Sequence, residues 1–518
     1  MKPRAKKILL LLLTAALLFG SGRVQNSLNR DRATLGLTIS EPLQNAPPVL
    51  AFTTVALGGF RGLISNYLWI RANDLQIDDK YFEAVQLAHW ITDLEPHFSQ
   101  VWAYQAWNMA FNISVKFKDP DDRWRWVNDG VSLLRDEGLR YNPDDVLIHH
   151  ELAWFFQFKM GQTMDDANNY YKSQWAKEMT PFFGLEGTNF EALVNPQTPE
   201  EKTNALILRE KFKIDPVFAQ KINQEWGPLD WRLPEAHAIY WASQGLQKAA
   251  EHPDKVKKED LLQLRRVIYQ SLLQTLHHGR ILSNPFTQRY ALGPNLDIIP
   301  QTEKAYELMI AEDPNDAINI ARAYRYALCD AVYFLYVNNR IAEAAKWYKT
   351  LQEKFPDKPL PDIQPATLPK DMTLDEFAVA RVQSEVGDTS QERTTAVVQG
   401  LLANAYSELA LGSEDRAAGY KLLARKVYDS YQNRIKGGNN LERIGLPPWN
   451  MLNQTVISDL LNPEESPLPY AARAVIRSQL GMKAETNAPS VSTNAATSAI
   501  SSTATNMPAN AVTNAPIK

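Results

Sequence analysis

The stretch KYFEAVQLAHWITDLEPHFSQVWAYQAWNMAFN, residues 80–112, decides the fold. Tyr81, Ala84, Val85, Ala88, Ile91 and Leu94 recur at the three- and four-residue spacing of an amphipathic helix. Pro96 ends it, because a proline pushes the residue before it out of the α region. A second stripe follows at Val101, Trp102, Gln105, Ala106 and Met109, flanked by Trp107 and Phe111. Neither helix can hide its stripe alone, so the two pack on each other and on their neighbours. Small residues at Ala84, Ala88 and Ala106 permit close approach.

Working outward, the periodicity predicts six helices between Leu63 and Met179, over 63–77, 80–94, 98–113, 121–140, 145–159 and 164–178. The carboxylates of Asp119, Asp121 and Asp122 are placed to cap the fourth; the oxygen ligands and central glycine of a calcium loop are missing there. Eight of the 13 tryptophans lie between Trp69 and Trp175, which marks this region as the best packed. Residues 180–233 read as mixed, with one helix near 199–212. Further helices are expected near 234–250, 257–278, 300–312, 315–338, 340–355, 373–386, 393–411, 413–435 and 467–480. Strand signals are few. From Thr486 the chain is Ser, Thr, Asn, Ala and Pro, a composition that cannot bury enough apolar surface to order itself.

The N-terminus points to export. Lys2, Arg4, Lys6 and Lys7 precede an apolar run from Ile8 to Phe19 and the small residues Gly20-Ser21-Gly22. That is the layout of a secretory signal, and as a helix the run is short beside a bilayer of roughly 30 Å. A cleaved signal is the first reading and an uncleaved anchor the second. Val49 to Phe60 is apolar too, but Arg61 and the glycines around it argue against a second span. A single cysteine, Cys329, suits an oxidising compartment, and its setting in a helical pattern predicts a buried thiol. The net charge of −4 shows no basic face for nucleic acid.

The punctuation of the hairpin recurs. Ala84 is followed by Ala88 and, twelve residues after Ala84, by Pro96; Ala344 is followed by Tyr348 and, again at twelve, by Pro356. Trp102 lies six residues past Pro96, and Ala106 four past Trp102. This resembles the tetratricopeptide repeat, a helical hairpin of 34 residues with Trp, Leu-Gly, Tyr, Ala and Pro at set places. The match is degenerate: Gln105-Ala106 stands at the Leu-Gly position and Met109 at the following Tyr. It covers 63–180 and 315–356, with 393–435 suspected. The stretches Leu57–Leu63, Trp124–Trp126 through Pro143, and Gly227–Pro234 further resemble an exported, Verrucomicrobia-type family of tetratricopeptide-like proteins. The resemblance implies fold and location and adds no site residue.

The expected architecture is therefore all-α, a tetratricopeptide-like α-solenoid or superhelix with irregular insertions. Its parts are a signal or anchor at 1–22, an extended lead-in at 23–62, helical repeats at 63–180, an irregular insertion at 181–300, C-terminal repeats at 301–483 and a disordered tail at 484–518. Helical phase places Tyr104, Gln105 and Asn108 in the lining of the groove. Trp124, near Arg123, is a candidate cation–π platform; Trp124 and Trp126 point to different sides of one helix, so one of the two belongs to the core.

Two groups invite chemistry. His149-His150-Glu151 lacks the second histidine four residues after the first that a zinc protease needs, since Trp154 stands there. His277-His278 before Gly279 reads as a helix C-terminal cap. The loop with Asp230, Arg232, Glu235 and His237 gathers acid, base and cation beside tryptophans. Asp230 and Arg232 read as an ion pair pinning a proline-rich loop. The competing reading uses Asp230 and Glu235 as the two carboxylates of a glycan-cleaving α/α toroid. A polysaccharide-binding module is a third possibility. The sequence indicates no cofactor and no metal. The function it favours is a non-enzymatic scaffold or assembly factor in the cell envelope, with protein partners and inner-membrane association through residues 8–20.

Overall fold

The computed structural model describes residues 61–484 except 163, 255, 284–289, 362, 364–365, 387–390, 436–444, 464–465 and 467, together with scattered positions between 14 and 31. The signal or anchor at 1–22, the lead-in at 23–62 and the tail at 484–518 lie almost wholly outside the described residues. Among those residues no helix is long and apolar enough to cross a membrane.

The chain is all-α. Its one sheet among the described residues is a two-stranded antiparallel hairpin, β1 (Arg280–Ser283) with β2 (Tyr290–Gly293), in which Arg280 faces Gly293 and Ser283 faces Tyr290. Two compact units divide the chain, Met1–Gln274 and Thr275–Lys518. The division falls inside the span expected as an insertion over 181–300.

The first unit begins with α1 (Arg61–Ile77), α2 (Tyr81–Leu94) and α3 (Ser99–Trp107). Ala84, Ala88 and Ile91 of α2 are buried, as the stripe requires. The turn between α2 and α3 is held through the Pro96 carbonyl, which accepts the Trp102 indole N–H at 2.8 Å and the Asn142 amide at 2.9 Å. Next come α4 (Pro120–Ser132) and α5 (Val146–Trp154). Each is capped by the aspartate before it: Asp119 accepts from the Asp121 amide at 2.9 Å, and Asp145 from the Leu147 amide at 2.8 Å.

Each of α3, α4 and α5 runs on into a π-wound segment, Asn108–Ile113, Leu133–Gly138 and Phe155–Gly161. Such segments rotate the side chains that follow out of the 3.6-residue phase and are common near functional sites. After α6 (Asn168–Phe183), α7 (Pro199–Glu210) and α8 (Pro216–Trp226), the helix α9 (Pro234–Glu251) packs on α5 and its π extension. Residues 234–251 are thus part of the core of the first unit. The unit closes along α10 (Lys258–His278), whose last residues open the second.

The second unit continues with α11 (Ile299–Glu312), α12 (Ala317–Val337), α13 (Ile341–Lys354), α14 (Leu374–Val386), α15 (Gln391–Ala410), α16 (Glu414–Arg434), α17 (Trp449–Leu461) and α18 (Tyr470–Gln479). Here α12 packs on α11 and α13, and α15 on α16, α17 and α18. Ala344, Tyr348 and Leu351 are buried on α13, and Cys329 is buried on α12.

Candidate functional site

A gathering of buried ionisable groups forms in the first unit where the loop before α9 meets α6. Arg232 forks onto Asp230, with Nε to Oδ1 at 2.8 Å and Nη2 to Oδ2 at 2.6 Å, and its backbone amide also donates to Oδ1 at 3.1 Å. Both side chains are buried. The pair closes the loop on itself, and the Trp231 amide between its members ties the loop to the segment after α6 by donating to the Gly187 carbonyl at 3.0 Å. Gly187 has φ +73°, and a Cβ built on it would stand 2.1 Å from Asp230 Oδ1.

Beyond the ion pair lie Glu235, in the first turn of α9, and His237. They are 2% and 0% exposed. His237 Nε2 lies 2.8 Å from the Trp231 carbonyl, which requires the proton on Nε2 and leaves Nδ1 as a bare acceptor. The ring sits in an aromatic box, with centroids 5.0 Å from Trp175, 5.4 Å from Phe156 and 5.8 Å from Trp231. Burial lowers its pKa to about 4, against the bond to Trp231 that favours the charged form. Neither Glu235 oxygen has a well-aligned hydrogen-bond partner. Burial raises its pKa to about 7, opposed by the charge of Lys172 and by its own backbone N–H. Lys172 is itself buried on α6, with Nζ 3.0 Å from Asn168 Oδ1, and burial lowers its pKa while Glu235 opposes the shift.

A second buried network joins α4 to the start of α6. Arg123 donates to Asp165 at 2.5 Å and to Asp166 at 2.7 Å. Lys159 Nζ lies 2.6 Å from the other Asp165 oxygen and 5.0 Å from the centre of the Phe111 ring. Burial alone would push Asp165 up; the bond from Lys159, the Ala167 amide and the Arg123 charge together hold it below the usual carboxylate range.

The residues expected at a binding surface are distributed differently. Tyr104 is half-buried, its hydroxyl donating to Gln76 at 2.7 Å and its ring edge-on to Trp69. Gln105 and Asn108 are 5% and 0% exposed and lie in the core, not on a groove face. Both share the stripe of Val101, Trp102 and Ala106, and that stripe faces the helices packed around α3, namely α2, α4, α5 and the Leu133–Gly138 segment. Arg123 is held by the aspartates, and Trp124 is buried and stacked on Tyr171, so they do not form an open cation–π platform. Asp230 and Arg232 form the expected ion pair.

The histidine pairs also resolve. His149 is buried with Nδ1 2.9 Å from the Asp145 carbonyl, and burial lowers its pKa. His150 lies beside Glu151 at 3.2 Å. His277, in the last turn of α10, pairs with Asp330 at 3.2 Å. Asp144, Glu251 and His252 come close enough together to hold a cation. The Lys248 ammonium already stands among them, 2.8 Å from Asp144 and 3.0 Å from Glu251.

No protein-family model and no curated protein matches this chain. The chemistry must therefore be read from the geometry. Acid–base work on a substrate needs the acting group within hydrogen-bond reach of it, and at 2% and 0% exposure Glu235 and His237 have almost no surface to offer. What they do is hold an unpaired carboxyl, an unpaired imidazole nitrogen and a lysine inside one aromatic core. Lys172, Lys159, Asp165 and Gly187 escape a motif-based reading. Lys172 alone leaves a trace, since it sits among Asn168, Tyr171, Trp175 and Met179 on a stripe that is otherwise core.

Proposed function

We propose that this chain is a non-enzymatic interaction scaffold or assembly factor of the bacterial cell envelope, a tetratricopeptide-like exported protein that binds protein partners through stacked helical hairpins. The observation that carries the reading is the pairwise packing of consecutive helices, α1 on α2 and α2 on α3 in the first unit, and α11 on α12 and α12 on α13 in the second. Repeated hairpins of this kind bury one another and leave a row of helix faces for a partner. The alanines of the punctuation support it: Ala84, Ala88, Ala106 and Ala344 are all buried, which is where the repeat needs small residues. The basic start and the apolar run at 8–19 support export, with the body outside the cytoplasm and inner-membrane association through residues 8–20. The enclosure of Asp230 and Glu235 weighs against using them as the carboxylates of a glycan-cleaving enzyme.

The test is crosslinking in the native envelope followed by capture through a tag on the C-terminal tail. The proposal expects a reproducible set of envelope proteins whose recovery falls when exposed hairpin residues such as Trp90 are changed to alanine. Recovery of no partner, together with sugars released from cell-wall material by the purified chain, overturns it in favour of an enzyme.

A further inference from the structure

Two buried lysines of the first unit each meet a side-chain oxygen, and the two meetings differ in kind. Lys159 Nζ lies 2.6 Å from a carboxylate oxygen of Asp165, which Arg123 also holds. Lys172 Nζ lies 3.0 Å from the amide oxygen of Asn168, one turn earlier on α6. Lys172 and Asn168 are 3% and 5% exposed. Glu235 is buried too, with neither oxygen in a well-aligned hydrogen bond. The charges of Lys172 and Glu235 bear on each other, so the carboxyl stands within electrostatic reach of the amine.

An amine, an amide and a carboxyl enclosed in one core are the reactants and the proton carrier of an amide exchange. Burial disfavours the ammonium form of Lys172, and the free amine is a nucleophile. The Asn168 amide is neutral, and its carbon lies one bond beyond the oxygen that Nζ already meets. Its Nδ2 donates to the Asp165 carbonyl at 2.7 Å. Residues four apart on a helix are neighbours, with Cβ atoms about 5–6 Å apart, a span that a lysine arm covers. A carboxyl whose pKa burial raises to about 7 both takes and gives protons near neutrality. The Lys159 pair is different: Asp165 is held in its charged form, and a carboxylate resists attack by an amine.

We propose that Lys172 and Asn168 become joined by an isopeptide bond in the folded chain, with Glu235 carrying the protons. Nζ attacks Cγ of Asn168 and passes a proton to Glu235. The Cγ–Nδ2 bond breaks, and Nδ2 leaves as ammonia with a proton from Glu235. One C–N bond forms and one breaks, the carboxyl ends as it began, and nothing is oxidised or reduced. The bond closes a ring over the first turn of α6, which begins at Asn168. Closure follows folding, since only the folded core brings the three groups together. It removes the Lys172 charge from beside Glu235, a charge that the open chain keeps. The inference goes beyond the scaffold reading and does not depend on it.

The experiment is mass spectrometry of the full chain, freshly purified and after prolonged incubation in neutral buffer. A species lighter by one ammonia than its residues require is expected, in a proportion that grows with time. Peptide mapping should place the loss within residues 168–172, with no backbone fragments separated between the two linked positions. Lys172→Arg keeps a cation beside Asn168 but offers no free amine, and Asn168→Ala removes the carbon attacked; neither should lose ammonia there. Glu235→Gln is expected to slow the loss roughly a hundredfold. A parent chain of full mass after incubation overturns the proposal. So does a loss that persists in Lys172→Arg, which would assign it to closure of Asn168 on its own backbone. An undiminished rate in Glu235→Gln overturns the part given to the carboxyl. Should a variant fail to fold, mapping of the parent still decides.

Discussion

Trp102 donates its indole N–H to the carbonyl of Pro96, the residue that ends the preceding helix, across 2.8 Å. The bond makes the proline turn and the second helix one unit. Asn142 donates to the same carbonyl at 2.9 Å, so one buried acceptor is served from two directions. Trp102→Phe keeps most of the ring volume and removes one donor, and a loss of about 1 kcal/mol is expected in urea or guanidinium unfolding. Asn142→Ala, which also releases a bond to the Gly138 carbonyl, is expected to cost a similar amount. The double variant should lose more than the sum, because only then is the Pro96 carbonyl left with neither donor. Strict additivity would show that the two bonds act independently.

Gly187 and Gly184 share almost the same positive φ, +73° and +72°, but not the same surroundings. At Gly184 the nearest atom to an added Cβ is Asn189 Cβ at 3.6 Å, an ordinary contact, while at Gly187 it is Asp230 Oδ1 at 2.1 Å. Gly184→Ala is expected to cost only backbone strain, about 1–3 kcal/mol, because its φ of +72° and ψ of −176° lie in a region essentially reserved for glycine. Gly187→Ala must also displace the carboxylate that Arg232 grips, and is expected to cost at least about 2 kcal/mol more. Thermal and denaturant unfolding of the pair separates conformation from crowding, and equal losses would show that the loop yields without breaking the ion pair.

Asp230→Ala leaves the Arg232 guanidinium buried without the carboxylate it forks onto. Breaking a buried pair from one side costs about 3–5 kcal/mol. Arg125→Ala is the comparison: it removes an exposed bond to Asp121 and should not change the unfolding midpoint measurably. An Asp230→Ala protein as stable as the parent would remove the structural reading of this loop.

How much of this was open to a reader of the sequence differs by kind of feature. The hairpin of residues 80–112 was legible because proline, alanine and tryptophan each act locally. The Asp230–Arg232 pair was legible because its members are two residues apart. Helix α8 was not, since Pro216 reads as a breaker; it occupies the first helical turn, where its missing N–H costs nothing, behind the Asp215 cap. The π segments carry no local signal and appear only when neighbours pack around them. Gln105, and Asn108 seven residues after Val101, share the buried stripe of α3, so their place in the core is the one that helical phase gives. Lys172 and Glu235 meet across more than sixty positions, and no spacing rule reaches that far.

Glu235 and His237 set opposite pH responses in one core. Glu235 has its folded pKa raised from 4.5 to about 7, so between those values the folded chain holds a proton that the unfolded chain releases. Stability contributed there falls as pH rises, over an interval worth about 3 kcal/mol. His237 is lowered from 6.5 to about 4, so the unfolded chain binds the extra proton in that window and stability rises with pH. Between about 4.5 and 6.5 the two slopes oppose, and these residues together should leave stability nearly level. Glu235→Gln, which fixes the neutral form, is expected to match the parent near pH 4.5 and to exceed it increasingly up to pH 7 and above, by as much as about 3 kcal/mol. Replacing His237 by Gln removes the rising arm, so stability should then fall steadily from about 4.5 to 7. Unfolding free energies of the three proteins across pH 4 to 8 measure this directly. If Glu235→Gln ran parallel to the parent at every pH, the glutamate would have to titrate alike in the folded and unfolded chains, with the Lys172 charge cancelling its burial.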